Sequence, residues 1–124
     1  MKPYLSYFFI LVCFITCKQK STSPQLFQLL KNSGISFTNQ VHNTAEFNIL
    51  NYRNFYNGGG VAIGDINNDG LADVFFTANM GANKLFLNKG NFKFDDVSEK
   101  AGFVKKEDWS TGVTMVDINS DGWL

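Results

Sequence analysis

The sequence predicts an all-β fold, because its central part is a succession of short apolar segments separated by tight turns. Four such segments follow one another from residue 60 to about residue 94, and the turns between them are rich in glycine and asparagine. Segments of four or five residues with period-two alternation are typical of strands rather than helices. Four short strands joined by tight turns are the content of one blade of a β-propeller.

An internal repeat predicts the start of a second blade. Residues 60–70 (GVAIGDINNDG) and 112–122 (GVTMVDINSDG) align 52 positions apart, with Gly, Val, Asp, Ile, Asn, Asp and Gly recurring in register. The second copy is cut off at its second strand. We therefore expect a partial β-propeller, with about one complete four-stranded blade plus the start of a second, that exposes apolar strand faces and an open sheet edge as a fragment of a longer protein.

Residues 1–16 are predicted to be a signal peptide. An uncharged apolar run over residues 4–16 follows Lys2 and ends at a polar stretch, which is typical of secretory signals. The run is shorter than the roughly 20 residues that a membrane-spanning helix needs. A buried core helix is the weaker alternative, since the polar residues 18–22 offer nothing for it to pack against.

Cys17 ends this run and resembles the cysteine of a bacterial lipobox, although Thr16 stands where the lipobox has a smaller residue. Lipidation of Cys17 would attach the protein to the membrane through its N-terminal lipid only. We therefore expect an exported bacterial outer-membrane lipoprotein, with periplasmic and cell-surface locations both open because Lys18 and Lys20 supply no acidic sorting signal. An ordinary signal peptide with two incidental cysteines is the alternative.

The region after the signal is predicted to contain a tether, a short helix and a leading segment. Residues 17–34 begin with the lipid-anchored polar tether, and Pro24 and Gly34 are typical of the start and end of a short helix. Residues 35–57 are irregular and aromatic, and we interpret them as strand and loop. Residues 58–124 hold the repeats, with predicted strands over 60–64, 74–77 and 84–88, a fourth beginning at Phe92, and one helical turn at 98–102.

The loop between the first two predicted strands carries oxygen-bearing side chains at alternate positions. Loop positions 1, 3, 5 and 9 are Asp65, Asn67, Asp69 and Asp73. Gly70 at position 6 permits a sharp turn, and the carbonyl of Leu71 at position 7 can supply a further oxygen. Three converging carboxylates would repel one another unless a cation neutralised them. This donor set favours Ca²⁺ over Mg²⁺, which requires stricter octahedral geometry.

The second repeat carries the same pattern. Its candidate ligands are Asp117, Asn119, Asp121 and the carbonyl of Trp123, and its ninth position would be residue 125. The loops are not EF-hands, since Phe76 stands at position 12 of the first and the flanking segments are strand-like. An asparagine- and aspartate-rich turn that bonds only to its own backbone is the alternative.

The segments at residues 60–74 and 83–88 resemble FG-GAP/VCBS repeats, the calcium-loop blades of integrin-α-like β-propellers. The wider context at residues 54–60 and 94–102 is similar to bacterial ASPIC/UnbV proteins, a group related to cartilage acidic proteins. The resemblance covers about residues 35–124. It implies structural Ca²⁺ in the loops and a propeller surface for adhesion or ligand binding.

The composition and the motifs exclude several classes of function. The 124 residues carry 11 basic and 11 acidic side chains, which argues against a nucleic-acid partner. His42 is the only histidine, and no nucleophile or phosphate motif is present, so we predict a non-enzymatic binding, adhesion or scaffold module with an unknown protein or carbohydrate ligand. The alternative is the non-catalytic N-terminal part of a larger propeller enzyme or carbohydrate-binding protein that acts on extracellular polysaccharide. For carbohydrate binding, Trp109 is the aromatic residue whose exposure should be examined.

Overall fold

The computed structural model describes residues 25–104 and 109–124, and its strands form one antiparallel sheet. The strands are β1 (Val61–Gly64), β2 (Asp73–Phe76), β3 (Lys84–Asn88) and β4 (Phe94–Asp96). Their spatial order is β1-β2-β3-β4, so each strand pairs with the next one along the sequence. The prediction of an all-β fold with a four-stranded blade is confirmed, and the predicted bounds of β3 agree with the structure.

The fourth strand begins two residues later than the sequence predicts, because Phe92 lies in a turn. Asn91 and Phe92 both have positive φ, 51° and 55°, and the N–H of Lys93 donates to the carbonyl of Gly90 over 3.0 Å. Two central residues with positive φ define a type I′ turn, whose twist matches that of the flanking strands. The turn therefore takes Phe92 out of the alternation and leaves its side chain exposed.

The register puts two sets of apolar side chains on opposite faces of the sheet. Val74 lies opposite Phe86, and Phe75 lies opposite Leu85. Phe86 is fully buried and meets Phe76 edge to face, with ring centroids 5.9 Å apart. Since Leu85 and Phe86 are both buried although they are neighbours in β3, the centre of the sheet is covered on both sides.

Segments outside the strands supply this cover. The ring of Phe37 stacks on Phe76 at 4.8 Å, and the ring of Phe103 meets Phe75 at 4.8 Å from the other side. Phe103 is positioned by the helical turn predicted at residues 98–102. There Gly102 has φ 84°, its N–H donates to the carbonyl of Glu99, and the N–H of Phe103 donates to the carbonyl of Ser98. This pair of bonds is the Schellman motif that ends a helical turn.

The short helix predicted within residues 17–34 is wrong for the part that the structure describes. Residues 25–34 contain no helix, and Leu26, Phe27 and Leu29 are each more than 80% exposed. A short helix is marginal in water unless its apolar face packs against something, and these side chains have no such surface. The N-terminal half of the prediction, together with the signal peptide and Cys17, lies outside the described residues.

No strand forms in residues 35–57, contrary to the strand content predicted there. The second half of the segment is a series of bends and turns, such as the one in which the N–H of Phe55 donates to the carbonyl of Tyr52 over 3.0 Å. Three of its aromatic rings pack instead around Trp109, whose ring centroid lies 4.9 Å from that of Phe47, 5.7 Å from that of Tyr52 and 5.4 Å from that of Phe55. Phe55 is fully buried in this cluster.

The second repeat lies beside the first without joining its sheet. A Cβ added at Gly60 would lie 2.7 Å from the carbonyl oxygen of Thr111, and one at Gly64 would lie 2.9 Å from the sulfur of Met115. Residues 112–116, predicted as the first strand of a second blade, do not form a strand. Val61 and Ile63 of β1 are exposed, as expected for an uncovered strand face.

Within the described ranges, no helix is long and apolar enough to cross a membrane.

An ion pair between β3 and β4 predicts an acid-sensitive contribution to stability. The Nζ atom of Lys84 lies 2.8 Å from Asp96, and the bonds from Lys84 and from the Ser98 hydroxyl lower the pKa of Asp96 to about 2. Because the folded-state pKa lies below the unfolded value, this contribution is present above about pH 4 and is lost as the pH falls towards 2. Both side chains are about a third or more exposed, so solvent screening limits the effect to about 0.5 kcal/mol.

Acid unfolding monitored by circular dichroism tests this expectation. Asp96→Asn should be less stable than the parent protein at neutral pH, and the two curves should converge near pH 2. A stability difference that persists unchanged to the acid limit would contradict the assignment.

Candidate functional site

The loop between β1 and β2 is organised by carboxylates that accept backbone N–H groups. The two oxygens of Asp65 accept the N–H of Asp69 over 3.1 Å and the N–H of Gly70 over 2.7 Å. Asp69 accepts the N–H of Leu71 over 2.9 Å and the side-chain amide of Asn67 over 2.9 Å. Gly70 has φ 82°, which glycine adopts without strain. The side chains at positions 1, 3 and 5 are thus brought together around one turn.

Asp73 connects this loop to the sheet. Its side chain is fully buried at the start of β2. Its two carboxylate oxygens accept the N–H of Ile66 over 3.1 Å and the N–H of Asn88 over 2.8 Å. The same carboxylate therefore closes the loop at one end and ties it to the end of β3. The sequence placed Asp73 at position 9 of the loop, but its bond to Asn88 depends on the tertiary fold.

The loop of the second repeat has the same hydrogen bonds, displaced by 52 residues. Asp117 accepts the N–H of Asp121 over 3.2 Å and that of Gly122 over 2.7 Å, and Asp121 accepts the N–H of Trp123 over 2.9 Å. Asn119 donates to Asp121 over 2.7 Å. These bonds stabilise the charged forms, so that the bond from Gly122 lowers the pKa of Asp117 and the bond from Trp123 lowers the pKa of Asp121.

The side-chain oxygens of the first loop are chemically suited to bind a hard cation. Each carboxylate has about four lone-pair sites, and two N–H bonds to Asp65 leave the remaining sites available to a metal. The oxygens of Asp65, Asn67, Asp69 and Asp73 are of the kind that Ca²⁺ prefers. Across residues 25–104 and 109–124, however, no group of three or more His, Cys, Asp or Glu side chains is placed to hold a metal ion. The convergence of three carboxylates around a cation stays a prediction.

The described structure does not single out the remaining sequence candidates as a site. His42 is exposed, and its backbone N–H faces the sulfur of Met80 at 3.1 Å. Trp109 is half-buried, and its ring packs against other aromatic rings. Its indole nitrogen has no hydrogen-bond partner within the described ranges. Trp109 is therefore mainly a packing residue and offers little free ring face to a sugar.

A buried polar junction that the sequence does not predict lies beside the sheet. Asn79 is 2% exposed, and its N–H and side-chain oxygen exchange two hydrogen bonds with the side chain of Asn39 over 2.9 and 2.7 Å. Its amide nitrogen donates to the carbonyls of Gly58 and Ser110, each over 3.1 Å. The junction joins the leading segment to the residues just before β1 and to those just before the second repeat. In the sequence, Asn79 is one of many asparagines in predicted turns, and nothing there distinguishes it from the others.

Known proteins and protein families are similar to the part of this chain that contains the repeat. The family model described as an FG-GAP-like repeat matches residues 65–124. A stretch of 70 residues is 39% identical to cartilage acidic protein 1 of Xenopus tropicalis, covering 56% of this chain and 11% of that protein. The human protein of the same name is 37% identical over 68 residues, covering 54% of this chain and 10% of its own length.

The matched stretch thus spans about a tenth of the length of these curated relatives. No solved structure gives a significant match.

Proposed function

Because residues 65–124 match the family model of an FG-GAP-like repeat, we propose that the protein is an exported, calcium-binding segment of a β-propeller that serves as a binding, adhesion or scaffold module. The repeat makes it a propeller-type module, and FG-GAP repeats are typical of extracellular or secreted proteins. The ligand is a protein or carbohydrate bound by the assembled propeller. The segment's own contribution is non-catalytic.

The observation that carries the calcium proposal is the burial of Asp73. An ionised carboxylate is costly to bury unless a cation or several hydrogen bonds compensate for the lost hydration. Asp73 is 0% exposed, and the ion pair found in the described part of the chain joins Lys84 to Asp96, not to Asp73. Two backbone N–H groups compensate part of the cost, and a Ca²⁺ ion at the loop would supply the missing positive charge.

The proposed ligands of the first site are the side chains of Asp65, Asn67, Asp69 and Asp73 and the carbonyl of Leu71. Those of the second are the side chains of Asp117, Asn119 and Asp121 and the carbonyl of Trp123. The role of Ca²⁺ is structural, since it holds each loop in the turn that its carboxylates already shape through hydrogen bonds. The recurrence of the same bonds in both repeats supports a common purpose for the two loops.

Calcium is expected to raise the melting temperature of the full-length protein, and EGTA to lower it. A ligand that binds only the folded state at about 100 times its Kd adds about 2.7 kcal/mol to the free energy of unfolding. Asp69→Ala should weaken Ca²⁺ binding more than the matched variant Asn67→Ala, because it removes a charged ligand. Scanning calorimetry and calorimetric titration measure the two effects. Melting that is indifferent to EGTA, or equal affinities in the two variants, would count against the proposal.

Export with a lipid at Cys17 is a separate part of the proposal. Growth of the expressing bacterium with a radioactive fatty acid should label the full-length protein, and Cys17→Ala should abolish the label because the acylated thiol is gone. Cys13→Ala is the matched control and should keep it. Undiminished labelling of the Cys17 variant would remove this residue as the acylation site.

A further inference from the structure

The peptide bond that leads into β1 joins Asn57 to Gly58, the single Asn-Gly pair in the sequence. It borders an open cleft of about 330 Å³, whose wall also includes Tyr52, Gly59 and Thr111. Asn57 is exposed. Water therefore reaches both its side chain and the following peptide group.

We propose that Asn57 is a site of spontaneous deamidation. The backbone nitrogen of Gly58 attacks the carbonyl carbon of the Asn57 amide and forms a new C–N bond. The original C–N bond of that amide breaks, and the proton lost from Gly58 leaves with the amide nitrogen as ammonia. Water then opens the resulting succinimide at one of its two carbonyl groups and yields aspartate or isoaspartate.

The attacking nitrogen is unhindered. Glycine has no Cβ, and a Cβ added at Gly58 would meet no atom within 4 Å. Over the described ranges, the N–H of Gly58 donates no hydrogen bond, and the side-chain amide of Asn57 has no partner. In this part of the structure, therefore, no hydrogen bond of either reacting group has to break before the attack.

The two Asp-Gly pairs of the acidic loops give an internal contrast. The N–H of Gly70 is bonded to Asp65, and the N–H of Gly122 is bonded to Asp117, each over 2.7 Å. A nitrogen that donates such a bond must break it before attacking the preceding side chain. We therefore expect the loops to resist the same ring closure, so that modification is selective for Asn57.

Isoaspartate at position 57 would disturb the start of β1, because it lengthens the backbone by one atom. The carbonyl of Gly58 accepts a bond from the buried Asn79, and the next two residues pass close to other backbone groups. Gly59 lies against the carbonyl of Thr77, and a Cβ at Gly60 would lie 2.7 Å from that of Thr111. A shift of the backbone has no room there, so the modified protein should melt at a lower temperature.

Peptide mapping by mass spectrometry tests the inference on the full-length protein. The protein is aged in mildly alkaline buffer, in parallel with a sample unfolded in urea. The peptide containing Asn57 should gain the mass difference between NH and O at a rate of the same order in both samples. Asn57→Gln is the control and should stay unmodified, because ring closure from the longer side chain is slow. Asp69 and Asp121 should isomerise more slowly in the folded sample than in urea.

One result would overturn the deamidation itself, and a second would overturn the loss of stability argued from it. One is an Asn57 that stays intact in the folded protein while the urea sample converts, since the fold would then protect it. The other is an isoaspartate fraction with the same melting temperature as the Asn57→Asp variant, because the extra backbone atom would then be harmless.

Discussion

Asp73→Asn is expected to lower the free energy of unfolding by about 3 kcal/mol, even with calcium removed. The carboxylate of Asp73 is fully buried and accepts one N–H on each oxygen, from Ile66 and Asn88. An asparagine can accept only one of these bonds. Its NH₂ group would face the other N–H, which leaves a buried donor without a partner. Urea unfolding in EGTA measures this loss.

The matched control is Asp95→Asn, which makes the same chemical change at an exposed position of β4. It should change the free energy of unfolding by no more than about 0.5 kcal/mol. A comparable loss in both variants would mean that the bonds of Asp73 to the loop and to β3 are not what matters.

Repeating the measurement with saturating Ca²⁺ separates the two roles of Asp73. If it is a ligand as well as a bridge, Asp73→Asn should also reduce the increase in stability that calcium gives the parent protein. If calcium stabilises the variant as much as it stabilises the parent protein, Asp73 is not a ligand, and only its role in linking the loop to β3 remains.

The acidic loops could be predicted from sequence because their order is local. Asp65 bonds to backbone groups four and five residues ahead, and Gly70 supplies the positive φ that the turn requires. Such bonds depend on residue type and spacing alone, so the same pattern at Asp117 produces the same contacts. The strand order can also be predicted from the sequence, because strands that are joined by short turns usually pair with each other.

Predictions from the sequence were wrong or missing where the local structure depends on residues that are distant in the chain. Leu26 and Leu29 have helical spacing, but no surface lies near them to bury a helix face, and no helix forms there. Asn79 gave no signal because its partner Asn39 is 40 residues away. Phe92 fits the alternating pattern of a strand in the sequence, but in the structure it lies in the turn between β3 and β4 and has a positive φ. In each case tertiary context overrides the local pattern.

Phe86→Ala should lower the free energy of unfolding by about 3–5 kcal/mol, because it removes a large ring from the middle of the sheet. Phe86 is 0% exposed and is one of five apolar residues buried in the described structure, with Phe55, Ala62, Ala78 and Leu85. The other four cannot refill the space, since two of them are alanines, Phe55 belongs to a separate aromatic cluster, and Leu85 faces the opposite side of the sheet. A loss of this size is a large share of the roughly 5–15 kcal/mol that holds a domain folded.

Phe92→Ala is the matched control, because it removes the same ring from a turn where the side chain is 65% exposed. Its effect should stay within about 0.5 kcal/mol. Urea unfolding of both variants, with saturating Ca²⁺ and tryptophan fluorescence as the probe, makes the comparison. Equal losses would mean that the centre of the sheet is not the core, whereas a large loss for Phe86 alone would show that the ring between β2 and β4 supplies a large share of the stability of this blade.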